Sequence, residues 1–264
     1  MKELAELTEK QKERRQAFLD WDLSGLPETI GTFHRKRIDR QEGRIYYAFG
    51  YEDEETGWEA RVLFDEETMD YMVKFYLRMY TITEIELIHG DFDGFRRDVE
   101  RLLPTAITRE FLQRDRVSVL VKGRAFTQWD YAEVLPPSYD GYRLLISPDR
   151  PLLGLNGSYI IAEYENREKN TGILFFYNMY RDEYYGELRD RGIPGIVHEY
   201  DARTVEELEK KITSPSEKRI WINWGQVHWN VDENQQETLI FFVIIPVLWY
   251  TDKGKYLSVI YVFR

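Results

Sequence analysis

The chain contains no cysteine. That absence removes disulfides, thiolate nucleophiles and cysteine-ligated zinc or iron–sulfur centres in one step. Long apolar runs are missing as well. The longest, Leu239–Tyr250, is twelve residues and is interrupted by Pro246, whereas a membrane-crossing helix needs about 20. The opening MKELAELTEKQKERRQ is charged and carries no apolar stretch of the secretory kind. Nor is there a G-x-x-x-x-G-K-S/T phosphate loop, a G-x-G-x-x-G, an H-E-x-x-H or a G-x-S-x-G. The expectation is a soluble cytoplasmic protein with no membrane span, no metal and no cofactor.

What is present is a core. Of 264 residues, 43% are hydrophobic and 15% aromatic, enough to exclude global disorder. The net charge of −11 is unevenly spread: +1 over residues 1–44, −8 over 45–150 and −4 over 151–264. Gripping a nucleic-acid backbone needs a basic surface, so the bulk charge argues against that partner. A protein partner of basic character fits better.

Residues 2–20 read as a helix with Leu4, Leu7, Ala17 and Phe18 on a thin apolar stripe, broken by Ser24-Gly25-Leu26-Pro27. Residues 1–43 are thus an N-terminal helix and connector, 44–150 a first unit and 151–264 a second. In the first unit Arg44–Tyr51 and Trp58–Phe64 read as strands. Asp65 then reads as the cap of a helix with Met69, Met72, Val73, Tyr76, Met79 and Tyr80 at 3–4 spacing. Glu84–His89 reads as a strand. Asp91 or Asp93 caps a second helix bearing Phe95, Val99, Leu102 and Leu103, with Pro104 at its end. The second unit repeats this: strands at Ser158–Tyr164 and Ile173–Tyr177, then a helix from Asn178 with Tyr184, Tyr185 and Leu188, stopped by Gly192. A strand at Ile196–Tyr200 and a helix capped by Thr204-Val205-Glu206-Glu207 complete it.

Residues match at an offset of 109, among them Tyr76 with Tyr185, Leu87 with Ile196, His89 with His198 and Glu100 with Glu209. The expected fold is therefore α+β: two related β-β-α-β-α halves produced by internal duplication, each followed by further strands in a mainly antiparallel sheet. Those further strands are expected at 116–122, 124–132 and 142–147, and at 219–230, 238–250 and 256–263. The packed stretch Pro148–Gly157 is the boundary between halves.

Three constellations carry candidate chemistry. His89, with Asp91 and Asp93, and His198, with Asp201, each end a strand before a helix, where an imidazole beside carboxylates serves a general base or a divalent ion. The same residues also read as loop and cap structure. Trp221, Trp224, His228 and Trp229 on RIWINWGQVHWN read either as a buried central strand or as an aromatic binding platform. The acidic turn Tyr51–Gly57 reads as a solvated hairpin tip or as the face for a cationic partner.

These features point first to a non-enzymatic protein-binding module of the inhibitor or immunity kind, acting through an acidic, aromatic-rich surface. The alternative is a hydrolase or metal-dependent enzyme with a site between the halves built on His89 and His198. A third reading is a carbohydrate-binding or structural component.

Overall fold

Hairpin follows hairpin through most of the described residues, whose strands assemble into two antiparallel sheets. The computed structural model describes residues 7–154 and 157–214. In the first sheet the strands β1 (Thr29–Ile30), β2 (Phe33–Glu42), β3 (Ile45–Asp53), β4 (Trp58–Asp65), β5 (Asp70–Tyr76) and β6 (Thr81–His89) lie side by side in chain order. In the second, β7 (Ser138–Tyr139), β8 (Tyr142–Ile146), β10 (Ser158–Asn166), β11 (Thr171–Asn178), β12 (Glu183–Asp190) and β13 (Ile193–Ala202) do the same, and the short β9 (Leu152–Leu153) pairs with the start of β10.

Among the described residues three α-helices accompany them. α1 (Glu9–Leu19) is closed by a capping box in which Thr8 and Gln11 satisfy each other's backbone N–H groups. α2 (Phe92–Ile107) starts where the Asp91 carboxylate accepts from the Gly94 N–H. It buries Phe95, Val99, Leu103, Ala106 and Ile107 against the first sheet. α3 (Val205–Thr213) is capped by Thr204 and buries Val205, Leu208 and Ile212. None of the described helices is long and apolar enough to cross a membrane.

The molecule is more strand-rich than the expected β-β-α-β-α halves. The stretch after Asp65 is a turn followed by β5, and the stretch after Asn178 is a turn followed by β12. Both capping side chains act, but on turns: Asp65 accepts from the Glu67 N–H, and Asn178 from the N–H groups of Tyr180 and Arg181. The 3–4 spacing misleads because both faces of β5 take apolar groups. Val73 and Phe75 enter the main core, while Met72 and Tyr76 join Tyr47 and Leu63 in a small cluster on the other face. In the same way Tyr184 meets Tyr177 and Tyr185 meets Phe176 as cross-strand pairs on opposite faces. Gly192 ends no helix. With Arg191 it forms a two-residue turn with φ of 80° and 50°, the positive pair that a tight hairpin requires.

Two smaller corrections follow. Pro104 sits inside α2, and the chain continues beyond Ile107 as a wider π-helical turn, Thr108–Leu112. Residues 116–122 and 124–132 are hydrogen-bonded turns and one 3-10 turn at Ala125–Gln128, not strands. The segments at 219–230, 238–250 and 256–263 lie outside the described residues.

The two sheets nonetheless share a plan that includes details the 109-residue matching does not contain. Ala17-Phe18-Leu19-Asp20-Trp21 has a counterpart in Ala125-Phe126-Thr127-Gln128-Trp129, and Leu26-Pro27 in Leu135-Pro136. Phe18 and Phe126 are both fully buried, as are Leu26 and Leu135. Trp21 Nε1 donates to Glu100 on α2 over 2.7 Å, and Trp129 Nε1 donates to Glu209 on α3 over 3.4 Å. The Tyr51 hydroxyl donates to the Pro27 carbonyl (2.6 Å), and the Tyr164 hydroxyl to the Pro136 carbonyl (2.7 Å). Even the irregularity before each helix recurs: the pairing of the last two strands slips between Met72 and Lys74 in one sheet and between Tyr184 and Gly186 in the other.

Candidate functional site

That irregularity separates the two histidines. His89 lies beyond it, paired with Tyr71, whereas His198 lies inside it, between Val197 and Ala202. They therefore occupy different positions in the two sheets. His89 Nε2 stands 3.2 Å from Asp98 on the following helix, with its ring edge-on to Phe95. His198 Nδ1 contacts Asp201 at 2.9 Å, on the surface. Among the described residues no contact joins the two imidazoles, and no group of three or more His, Asp or Glu side chains is placed to hold a metal ion. Asp91 caps α2, and exposed Asp93 stands 3.9 Å from Arg96. Trp221, Trp224, His228 and Trp229 lie outside the described residues.

The acidic turn is engaged within the molecule. Asp53 accepts from the N–H groups of Glu55 and Thr56 and from the Thr32 hydroxyl. Glu52 pairs with Lys36. From the second sheet and its turns, Arg143 pairs with Glu55, and Arg167 donates to the carbonyls of Glu55 and Thr56.

Close to that contact lies a pair of carboxyls that the sequence reading did not single out. Glu163 and Glu165 alternate on β10 and so share a face. Glu163 is fully buried, and among the described residues neither of its oxygens has a hydrogen-bond partner. Burial pushes its pKa up to about 8, helped by the neighbouring Glu165 and opposed by Arg189, Arg114 and Arg78. Glu165 accepts from Arg78, which reaches it from the left-handed turn between β5 and β6 (φ 63°). Arg114 stacks over Trp58 at 4.7 Å, and burial lowers its pKa to about 10. A buried carboxyl with a raised pKa can act as a general acid where a substrate reaches it. Glu165, itself buried, lines a cleft of about 310 Å³ with Arg143, Asn166 and Arg167. Glu163 is sealed from solvent, and the Arg78–Glu165 pair is the contact that joins the two sheets here.

Exposed apolar side chains lie elsewhere, among them Ile193 and Ile196 on β13. Val119 and Leu120 stand 83% and 67% exposed in the segment Arg116–Arg124, and Tyr180 is 74% exposed in the turn between β11 and β12. The segment is pinned. The Ser118 N–H donates to the Tyr159 hydroxyl, and the N–H groups of Val121 and Lys122 return to the Ser118 carbonyl. Val121 is buried beneath. Arg124 pairs with Asp182 at 3.2 Å, tying the segment to the turn that carries Tyr180. The Tyr180 ring lies over Gly157, where any side chain would collide with it. These apolar groups thus gather at one end of the second sheet. Two valines alternating with polar residues resemble a strand in sequence, so no signal marks Val119 as outward-facing.

Comparison with protein-family models, with curated proteins and with solved structures finds no match.

Proposed function

We propose that the chain is a protein-binding module of the inhibitor or immunity kind, which acts by occupying a partner, and that its two halves descend from one duplicated unit. The observation that supports binding is the exposed trio Val119, Leu120 and Tyr180. Large apolar side chains held in water on a fixed frame gain nothing in the isolated chain, and such patches are characteristic of contact surfaces. The frame also lowers the ordering cost of association. The duplication rests on the paired Phe-x-x-Trp and Leu-Pro segments and on their matching ties to Glu100 and Glu209.

A photo-crosslinking residue placed at position 120, with Thr68 in the exposed turn before β5 as control, tests the reading in extracts of the source cells. A discrete protein adduct at 120, competed away by unlabelled protein and missing at 68, supports it. No adduct at 120, or the same adducts at both positions, overturns it.

A further inference from the structure

We infer that the partner of the Val119–Leu120–Tyr180 surface is a protein that presents an acidic rim around an apolar recess. The inference rests on the binding reading above and adds the partner's charge to it.

The segment Arg116–Arg124, RVSVLVKGR, carries three cations and no carboxylate, in a chain whose net charge is −11. Arg124 has its own partner in Asp182. Among the described residues Arg116 and Lys122 have no ion pair, and they bracket the apolar tip on both sides. Arg181 and Arg203 extend the cationic edge around Tyr180, sharing Glu183 between them. The Arg203 guanidinium also holds the Arg181 carbonyl. The acidic hairpin, by contrast, already has Arg143 and Arg167 of the second sheet against it. Tyrosine and arginine are enriched among the residues that dominate protein interfaces, and Tyr180 with Arg181 and Arg203 supplies both beside the apolar tip. A carboxylate rim on the partner would be steered toward Arg116 and Lys122 and would reject basic competitors.

A protein fits better than an anionic bilayer. A protein footprint can be confined to this patch, whereas a charged plane faces the whole acidic chain.

The test uses the same crosslinker at position 120, now in the Arg116→Glu/Lys122→Glu background and across a salt series. Both side chains are exposed, so the fold is unaffected; an unchanged thermal midpoint verifies this. The adduct is expected to fall about tenfold in the double variant and to fade between about 0.05 and 0.5 M salt, as screening predicts. An adduct indifferent to both overturns the acidic partner while leaving the binding reading intact. No adduct even in the parent chain overturns the binding reading itself. Co-sedimentation of the parent chain with phosphatidylserine vesicles, lost in Leu120→Asp, would assign the patch to a membrane and overturn the inference.

Discussion

The indole N–H of Trp129 donates to Glu209 across eighty residues of sequence, as that of Trp21 does to Glu100 across seventy-nine. Each bond joins the segment that precedes a sheet to the helix that follows it. The two are not equally strong: Trp21 is buried and its bond is short, whereas Trp129 is half-buried and its bond is long. Removing the acceptor should therefore hurt unequally. Glu100→Ala is expected to cost about 1–3 kcal/mol, the cost of stranding a buried donor. Glu209→Ala should cost clearly less. Urea titrations of the two variants measure the difference, and equal losses would mean the ties are not what holds the halves.

A second prediction concerns pH. The ordinary glutamate pKa is about 4.3, and that of Glu163 in the fold is pushed up to about 8. Between these values the folded chain keeps a proton that the unfolded chain releases, so stability falls as pH rises through this window and levels off above it. Glu163→Gln abolishes that slope. The variant should gain on the parent progressively from about pH 5 to pH 8, by an amount on the order of a few kcal/mol. Thermal midpoints across that range read it directly. A constant gap between the two proteins would show that Glu163 titrates normally.

Gly50 and Gly43 separate two glycine requirements. A Cβ on Gly50 would sit 2.5 Å from the Ala60 carbonyl oxygen, a backbone atom in the paired strand that cannot turn aside. Gly43 needs only its positive φ of 56°, with open space around it. Gly50→Ala should cost about 1–3 kcal/mol through overpacking, and Gly43→Ala about 1 kcal/mol. Chemical denaturation ranks them, and the reverse order would refute the steric account.

The ranges of β3, β4, β6, β10 and β11 were legible because turn residues bracket them, and α2 and α3 because Asp91 and Thr204 mark their starts. β5 and β12 were not. With apolar groups on both faces, Tyr184, Tyr185 and Leu188 satisfy a helical period as well as a strand, and only pairing with β11 decides. The Phe-x-x-Trp and Leu-Pro repeats stand in the sequence at offsets of 108 and 109, but they lie outside the strand and helix segments whose periodicity reveals the 109-residue match. The equivalence of His89 and His198 failed for a related reason. A constant offset cannot follow a slipped register, and the slip falls between their two positions. Glu163 was invisible because nothing local distinguishes a sealed carboxyl from one at the surface.

The last prediction separates binding from folding at three consecutive residues. Val119 and Leu120 face solvent, so Val119→Asp and Leu120→Asp should leave stability within about 0.5 kcal/mol of the parent, the ordinary range for surface substitutions. Val121 is fully buried beneath them. An aspartate there must either stay charged in an apolar site or drag the turn open, and a loss of several kcal/mol is expected. A binding surface thus requires the first two variants to keep their unfolding midpoints and lose the position-specific adduct, read from a crosslinker at Tyr180. If Leu120→Asp unfolds the protein as Val121→Asp does, the segment is part of the core and its exposed face is not a docking surface. If neither Val119→Asp nor Leu120→Asp alters the adduct, the apolar tip does not anchor the partner, and the contact must be carried by Tyr180 and its arginines.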